Sequence, residues 1–406
     1  CLMIELKEHI DPVSLAAFPD AWRRELDEVL YYWAAYVTDQ QQGFYGSVNN
    51  DNRPDPEAPV GLVMCSRILW AFSAAAPVTG NPVHRQMADR AYQFITTHFF
   101  DRKSGGVYWS VEPSGDVHDP KKQLYGQAFG IYGLSEYFRL TADPEALNAA
   151  IELFRLIEVY GFDKEKNGYI EAFARDWSDI SDLRLSEKDH NERKTMNTHL
   201  HVIEAYVNLY TVWPDTKLKE SIRNLLWLFD RYFINHQNYH LNLFFDDDWN
   251  NKSGLQSYGH DIEAAWLLQQ SAELLGDQEY IDHFRQLALP VTRAAAEGLD
   301  KDGGLWYEFE PASGELVKEK HSWPQAEAMV GFYNAWQLSG DSRFLQQCMD
   351  SWAFIEKYII DHQKGEWFWG VQADYSVMQK DKAGFWKCPY HNTRALLELM
   401  RRINLK

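Results

Sequence analysis

The chain has 406 residues, of which 45% are hydrophobic and 15% aromatic, and its formal net charge is −19. This acidic balance disfavours nucleic acid and anionic membrane surfaces as partners. No apolar run reaches the roughly 20 residues that span a bilayer, and residues 1–5 show no sign of an export signal. Four scattered cysteines are typical of a reducing compartment. The composition therefore predicts a protein of the cytoplasm.

A glycine-aromatic phrase recurs six times along the chain. Its copies begin at residues 43, 106, 168, 240, 304 and 365, so the intervals are 63, 62, 72, 64 and 61 residues. The fourth copy, which begins at His240, lacks the glycine. A period this regular indicates a repeated supersecondary unit. The strand-like residues of the phrase predict short β-hairpins at one end of each unit.

Two helical patterns alternate between these copies. Helices of the first pattern are amphipathic and begin after a residue that can cap a helix N-terminus. The five capping residues are Asn81, Asp143, Asp215, Asp277 and Asp341. Helices of the second pattern are apolar on most faces, as in residues 264–268, which is typical of buried helices. Six such alternations predict an all-α fold, an (α/α)6 barrel of two concentric rings, in a single domain spanning residues 1–406.

The third interval is longer than the others because it contains a charged insertion, residues 176–194. Such a segment does not fit the helical pattern on either side. We expect it to form a long loop that lies over the mouth of the barrel cavity.

Nearly every predicted inner helix carries a polar or titratable side chain near its start, although burying such groups without a partner is costly. These residues are Arg67, Tyr125, Asn197, His201, His260, Glu263, Trp323, Glu327 and His391. Because the repeats close into a ring, we expect all of these starts to meet in one pocket. His260 and Glu263 are three residues apart and can share a helix face, so we expect Glu263 to hold His260 in its working tautomer. His199 points elsewhere, and we expect it to bind only local backbone.

Three other classes of site remain open from the residues alone. The three histidines with Glu263 could bind zinc, but no HExxH or CxxC motif is present and Arg67 would oppose a cation. Glu263 and Glu327 could be the paired carboxylates of a glycoside hydrolase. A sugar-binding toroid without activity would need the tryptophans but no set of histidines. We expect neither a metal nor a cofactor, because nucleotide-binding fingerprints are also absent.

Five stretches carry a resemblance to a known family. They read Arg-Ile-Leu-Trp at 67–70, Met-Asn-Thr-His-Leu-His at 196–201, Gly-His-Asp-Ile-Glu at 259–263, Trp-Pro-Gln-Ala-Glu at 323–327 and Gly-Phe-Trp-Lys-Cys-Pro-Tyr-His-Asn at 384–392. Over nearly its whole length the chain resembles the N-acylglucosamine 2-epimerase family, and within it the cellobiose 2-epimerases or the closely similar mannobiose 2-epimerases. Cys388 departs from the family pattern, in which we expect glycine; we expect its side chain to be peripheral.

The resemblance implies an (α/α)6 barrel and reversible inversion at C2 of the reducing-end sugar of a β-1,4-linked disaccharide. It implies that His260 and His391 are the acid–base pair and that His201 is essential beside them. It further implies that Asp189 contacts the distal sugar. The remaining residues that we expect to line the pocket or bind substrate are Arg67, Tyr125, Asn197, Glu263, Trp323, Glu327 and Trp386.

The chemistry of such a reaction fits these residues. After ring opening, a base removes the C2 proton, and we expect Arg67 and His201 to stabilise the enediolate oxygen that forms. Trp323 and Trp386 are the expected stacking surfaces for the sugar. An aldose–ketose isomerase, or an epimerase of monosaccharides or N-acylglucosamine, remains an alternative on the same scaffold. We expect a monomer or a weak homodimer.

Overall fold

The computed structural model describes residues 18–404; the expectation about residues 1–5 lies outside this range. The described residues form twelve α-helices. These are α1 (Phe18–Tyr36), α2 (Leu62–Thr79), α3 (Pro82–His98), α4 (Leu124–Thr141), α5 (Pro144–Leu156), α6 (Met196–Tyr210), α7 (Thr216–Leu228), α8 (Tyr258–Leu275), α9 (Gln278–Ala295), α10 (Ser322–Ser339), α11 (Ser342–Phe354) and α12 (His391–Asn404). The predicted all-α class is therefore confirmed.

The helices form two rings. The even-numbered helices α2 to α12 pack side by side in chain order, and α12 returns to contact α2, which closes the inner ring. Each odd-numbered helix from α3 to α11 packs against the inner helix that precedes it in the chain. The first outer helix, α1, packs against the last inner helix, α12, so the two ends of the chain together form the sixth hairpin. This is the predicted (α/α)6 barrel.

Short strands lie at the end of the barrel where the inner helices begin. They are β1 (Ser47–Val48), β2 (Pro54–Asp55), β3 (Val60–Gly61), β4 (Ser110–Val111), β5 (Val117–Asp119), β6 (Lys122–Gln123), β7 (Ala172–Phe173), β8 (Lys194–Thr195), β9 (Phe244–Phe245), β10 (Gln256–Ser257), β11 (Glu308–Glu310), β12 (Glu315–Val317), β13 (Lys320–His321), β14 (Gly370–Val371) and β15 (Ala383–Gly384). Within residues 18–404 they form six antiparallel sheets of two or three strands. The predicted small β-elements are thus present.

The sheets follow one rule of connection. The strand that leads into an inner helix pairs with the strand that follows the next outer helix, as β6 does with β7 and β8 with β9. The same rule joins the ends of the chain, because β15 pairs with β1 in the register Ser47↔Gly384. Strand pairing therefore links each helical hairpin to the next at the end where the inner helices begin, and this holds the starts of those helices in place.

The capping prediction is confirmed at four of the five outer helices. Asn81, Asp143, Asp215 and Asp341 each accept a bond from a backbone N–H in the first turn of the helix that follows. At α9 the prediction is only half right, because Asp277 occupies the N-cap position but its side chain makes no capping bond. Its carboxylate instead accepts a bond of 2.8 Å from Nη2 of Arg223 on the adjacent outer helix.

Buried lysine–aspartate pairs recur in the strands that lead into inner helices, and the sequence analysis did not identify them. The pairs are Lys122–Asp101 at 3.1 Å, Lys194–Asp163 at 2.9 Å, Lys320–Asp300 at 2.8 Å and Lys382–Asp361 at 2.6 Å. The aspartate of each pair also accepts backbone N–H bonds within its own turn, as Asp101 does from Lys103. Removing one partner of a buried ion pair costs about 3–5 kcal/mol, so these pairs hold the strand end of four of the six repeats.

The inner helix α2 is unusually apolar. Within the described residues, α2 alone is long and apolar enough to cross a membrane, so the expectation that no run reaches this length is wrong. However, 72% of this 18-residue window is buried inside the barrel, and it contains Arg67. The helix is apolar because it packs in the inner ring, as in a soluble protein.

Candidate active site

The starts of the inner helices surround one cavity of about 330 Å³. Tyr125, Asn197 and Trp323 are the second residues of α4, α6 and α10, and His391 is the first residue of α12. All predicted site residues except Glu327 line this cavity. Because the N-terminus of a helix carries a partial positive charge, several converging N-termini favour an anion that forms at the centre of the cavity.

Two of the predicted histidines pack against the same indole ring. The ring of Trp323 is 4.8 Å from that of His260 and 5.4 Å from that of His391. Trp323 packs so closely on Gly259 that a Cβ atom there would lie 2.5 Å from the indole. Gly259 is therefore required for this arrangement of two imidazoles around one aromatic surface.

His391 is held by a carboxylate. Its Nδ1 lies 2.7 Å from Oε1 of Glu327 and 3.9 Å from Oε1 of Glu263. Burial, with the nearby charges of Arg67 and Arg394, lowers the pKa of His391 well below its usual value. Glu327 thus contacts the imidazole from behind and does not reach the cavity wall, which corrects its expected place among the substrate-binding residues.

His260 is held by a hydroxyl group. Its Nδ1 lies 2.7 Å from Oγ of Ser257, in the strand that leads into α8. The expectation that Glu263 holds His260 is therefore wrong, because Glu263 is bound by Arg394 at 2.7 Å. Burial, with smaller contributions from His201 and Lys188, lowers the pKa of His260 to about 3. Both imidazoles are consequently uncharged at neutral pH.

The third cavity histidine, His201, has its own carboxylate. Its Nδ1 lies 2.9 Å from Oε2 of Glu204, one helical turn further along α6. Burial raises the pKa of Glu204, but the charge of Arg394 together with the hydrogen bonds from His201 and Tyr390 outweighs burial and lowers it to about 2. Glu204 is therefore ionised and can hold a proton on Nδ1 of His201.

Arg67 lies next to His201 and faces the cavity. Its Nη2 donates a bond of 2.8 Å to the hydroxyl of Tyr125, and Nη1 donates one of 3.2 Å to the backbone carbonyl of Trp386. The guanidinium carbon lies 4.4 Å and 4.6 Å from the ring centres of Phe129 and Tyr390. The cation is thus fixed by aromatic rings, with no carboxylate to neutralise it among the bonds that it makes.

A cluster of Glu263, Glu327 and His391 has the spacing of a metal site, since one potential ligand atom from each lies within 4.8 Å of the others. The position is also occupied by a cation of the protein. Nη2 of Arg394 lies 2.7 Å from Glu263 and 2.6 Å from Glu327. A metal ion would have to displace this guanidinium, so the geometry disfavours the zinc alternative.

The charged insertion forms part of the cavity wall. Lys188 and Asp189 both line the cavity, and Oδ2 of Asp189 accepts bonds from the backbone N–H and the hydroxyl of Ser186 at 2.9 Å and 2.8 Å. Nζ of Lys188 donates a bond of 2.7 Å to the hydroxyl of Tyr307. The loop therefore reaches from the third repeat to the fifth across the cavity. Contact of Asp189 with a distal sugar stays a prediction.

Comparison with known proteins identifies the family. A family model described as N-acylglucosamine 2-epimerase matches residues 43–395. The chain belongs to the N-acylglucosamine 2-epimerase family. Within this family it is 47% identical over 374 residues to the cellobiose 2-epimerase of Bacteroides fragilis. The alignment covers 92% of this chain and 95% of that protein.

Solved structures agree with this membership. The cellobiose 2-epimerase of Bacillus thermoamylovorans has a TM-score of 0.92 and 41% identity, and the match covers 95% of this chain and 100% of that one. A D-mannose isomerase superposes with a TM-score of 0.83 at 20% identity, covering 95% of this chain and 99% of that one. The second likeness shows a shared fold only.

Several residues of this 2-epimerase site were missed by the sequence analysis. Ser257 and Glu204 lie three residues from His260 and His201, a spacing that could have indicated both contacts. Arg394 carries no local signal, because its partners come from other repeats. Cys388 is not peripheral as expected: it lines the cavity, and its Sγ lies 3.9 Å from Nη1 of Arg67. His199 was correctly assigned, since its Nδ1 lies 2.7 Å from the carbonyl of residue 195.

Proposed function

We propose that the protein reversibly epimerises C2 of the reducing-end sugar of β-1,4-linked disaccharides, converting cellobiose to glucosyl-mannose and mannobiose to mannosyl-glucose. The carbohydrate 2-epimerase class follows from the family and from relatives at up to 47% identity over nearly the full chain. The observation that carries the mechanism is that His260 and His391 line one cavity and both pack against Trp323 there.

The reaction needs a base, an acid and a site for negative charge. After the sugar ring opens, one uncharged imidazole of the His260–His391 pair removes the C2 proton and becomes an imidazolium. The other imidazole, which takes up a proton from solvent, delivers it to the opposite face of C2, and the imidazolium then returns its proton to solvent. Arg67 and His201 stabilise the enediolate oxygen. Fixed donors of this kind stabilise a developing charge better than water does, because they need no reorganisation during the reaction.

The remaining cavity residues bind the sugar. Trp386 and Trp323 supply aromatic faces against which a pyranose ring stacks. Tyr125 and Asn197 supply polar atoms for its hydroxyl groups, and Oδ1 of Asn197 is buried without a hydrogen-bond partner in the described protein. Asp189, from the loop, binds the distal sugar. Glu263 and Glu327 act behind His391 and not on the substrate.

The glycoside hydrolase alternative fits the geometry less well. Hydrolysis requires two carboxyl groups on either side of the scissile bond, about 5–5.5 Å apart in retaining enzymes and further apart in inverting ones. Here Glu263 and Glu327 are bound by the same nitrogen of Arg394. They therefore lie side by side, without room for a sugar between them.

Product analysis in heavy water tests the proposal and its alternatives together. Purified protein is incubated with cellobiose, mannobiose, glucose, mannose and N-acetylglucosamine, and the products are separated and examined by NMR. We expect C2 epimers of the disaccharides that carry solvent deuterium at C2. A ketose labelled at C1 would identify an isomerase, free glucose from cellobiose would identify a hydrolase, and products from monosaccharides alone would exclude the disaccharide substrate.

The distal-sugar role of Asp189 has a separate test. We expect Asp189→Ala to lower kcat/KM for disaccharides by about tenfold, the effect of losing one hydrogen bond to a charged group. Turnover of any monosaccharide should stay unchanged. Asp182→Ala is the control. Asp182 is an exposed carboxylate of the same loop, and it forms an ion pair with Arg184. Equal losses on both substrate classes would remove the distal-sugar role.

We extend the proposal to the whole chain. Residues 1–406 act as one catalytic domain, a monomer or weak homodimer of the cytoplasm, without metal or cofactor. Light scattering after size exclusion measures the mass in solution. Activity that disappears with a chelator and returns with zinc or manganese would show that the metal-free proposal is wrong.

A further inference from the structure

A network of hydrogen bonds beneath the cavity joins two of the histidines. Nδ1 of His201 lies 2.9 Å from Glu204, and Glu204 is bound by Nη1 of Arg394. Nη2 of Arg394 lies 2.6 Å from Glu327, and Glu327 lies 2.7 Å from Nδ1 of His391. The two rings are therefore connected, through Arg394 on α12, across three inner helices of the barrel.

We propose that Glu204 and Arg394 are positioning residues of the epimerisation, which fix the tautomer and the orientation of His201 and His391. A carboxylate that accepts a bond from Nδ1–H leaves Nε2 as the nitrogen that faces the sugar. Neither Glu204 nor Arg394 is part of the cavity wall, whereas both histidines are. The two residues thus act through the rings. This inference rests on the proposed function and deepens it.

Arg394 is needed because three buried carboxylates share it. Glu204, Glu263 and Glu327 are 6%, 1% and 1% exposed, and Arg394 is 2% exposed. All three carboxylates bind this one guanidinium. Tyr390 fixes it further, with its ring centre 4.3 Å from the guanidinium carbon and its hydroxyl bonded to Glu204 at 2.6 Å. Without the cation, the buried carboxyl groups would take up protons and would no longer hold the Nδ1–H groups of the imidazoles.

The same two side chains also form the floor of the active site. A second cavity opens at the opposite end of the barrel, and Glu204 and Arg394 contribute to its wall. They therefore stand between this cavity and the Nδ1 side of the histidines. Water that entered from this second cavity would compete for Nδ1 and weaken control of the tautomer. The network therefore has to exclude water as well as supply charge.

The experiment separates positioning from stability. We expect Arg394→Met to lower kcat for cellobiose by about 10²-fold, because His201 and His391 each lose the support of a carboxylate and one hydrogen bond to a charged group is worth about 10–10²-fold. The dissociation constant of the disaccharide should stay within about threefold, because no binding group is removed. Arg394→Lys keeps the charge but not the forked geometry, and we expect an intermediate kcat.

Matched controls come from the same helix. Arg402 is also buried on α12, lies over the ring of Trp266 at 5.9 Å as Arg394 does at 5.0 Å, and binds Asn334. It does not contact the histidine network. We expect Arg402→Met to lower the Tm to a similar extent and to leave kcat close to wild type. Two carboxylate variants form a parallel pair. We expect Glu204→Gln to lower kcat and Glu398→Gln to leave kcat close to wild type.

A spectroscopic measurement makes the test independent of turnover. Long-range ¹⁵N–¹H spectra report which imidazole nitrogen carries the proton. We expect Nδ1–H at His201 and His391 in the wild type, a mixture of tautomers at His201 in Glu204→Gln, and a mixture at both rings in Arg394→Lys. A wild type without epimerase activity would defeat the proposed function, and the tautomers would still decide the positioning role. Unchanged tautomers together with equal kcat values for Arg394→Met and Arg402→Met would overturn it. If Arg394→Met does not fold, the pair Glu204→Gln and Glu398→Gln decides.

Discussion

The surroundings of His260 and of His391 differ in the group that contacts Nδ1. At His260 this group is the hydroxyl of Ser257, and at His391 it is the carboxylate of Glu327, at 2.7 Å in both cases. A hydroxyl can either donate or accept a hydrogen bond, whereas a carboxylate stabilises the imidazolium that forms when the ring takes up a proton. The two bases that contact Trp323 are therefore not equivalent, although they line the same cavity.

The difference follows from which repeat supplies the partner of each imidazole. His260 is held by its own repeat, because Ser257 is the last residue of β10 and immediately precedes α8. His391 is held by a different repeat, because Glu327 lies on α10 and is kept in place by Arg394. The first contact is local in the chain, and the second depends on how two neighbouring inner helices pack. We expect the second to matter more for catalysis.

The largest expected effect comes from removing one ring at a time. We expect His391→Asn and His260→Asn each to lower epimerisation of cellobiose by about 10²–10⁴-fold, the contribution of one positioned acid or base. If each ring serves one face of C2, each variant should still exchange the C2 hydrogen of one epimer with heavy water. The epimer that exchanges should differ between the two variants. NMR of recovered cellobiose and of recovered glucosyl-mannose measures this.

The control for this pair is His199→Asn, because His199 is buried and bound only to local backbone and to aromatic neighbours. It should lower stability and keep the acid–base chemistry intact. Exchange of both epimers in both catalytic variants would mean that one base serves both faces through a turning intermediate, and the comparison of two unequal bases would then be wrong.

A smaller effect is expected at the carboxylate behind His391. Glu327→Gln keeps the volume but removes the charge, and we expect kcat to fall by about 10–10²-fold, the range for a hydrogen bond to a charged group. Glu158→Gln is the matched control, since Glu158 is a buried carboxylate that accepts bonds from Tyr169 and Tyr206 away from the cavity. Steady-state kinetics of both variants, with their Tm values, make the comparison. Equal kcat values would show that Glu327 has only a structural role.

This contrast also explains what the sequence could predict. The regular period and the polar starts of the apolar helices were enough for the barrel and for eight residues of the cavity wall, whereas Asp189 and Trp386 came from the resemblance to the family. The partners of the imidazoles were not predictable in the same way. The spacing of three residues suggested Glu263 for His260, but the ring geometry brings Glu263 to Arg394, 131 residues away. Contacts between repeats depend on how the ring closes, and helix spacing carries no information about that.

The hydroxyl behind His260 should have a weaker influence. We expect Ser257→Ala to lower kcat by about two- to tenfold, the value of a hydrogen bond between uncharged groups. Ser271→Ala on α8, the helix that carries His260, is the control, because the buried hydroxyl of Ser271 only donates a bond to the carbonyl of Leu267. If Ser257→Ala proves as damaging as Glu327→Gln, the two bases are supported equally and the proposed asymmetry does not exist.

The smallest expected effect is that of mild acid, and it tests what the two rings have in common. Burial lowers the pKa of His260 to about 3, and burial with the charges of Arg67 and Arg394 lowers the pKa of His391 well below its usual value. A base works in its unprotonated form, so a lowered pKa extends activity toward acid, and activity is lost only as the pH falls through that lowered value.

We therefore expect kcat/KM, which reports the free enzyme, to change by less than about twofold between pH 7 and pH 5.5. An ordinary histidine with a pKa of about 6.5 would be roughly nine-tenths protonated at pH 5.5, and the loss would be about tenfold. Circular dichroism at pH 5.5 controls for unfolding. A tenfold loss in a protein that remains folded would mean that at least one imidazole titrates as it does in water. Repeating the profile with Glu327→Gln and Ser257→Ala would then show which of the two rings it is.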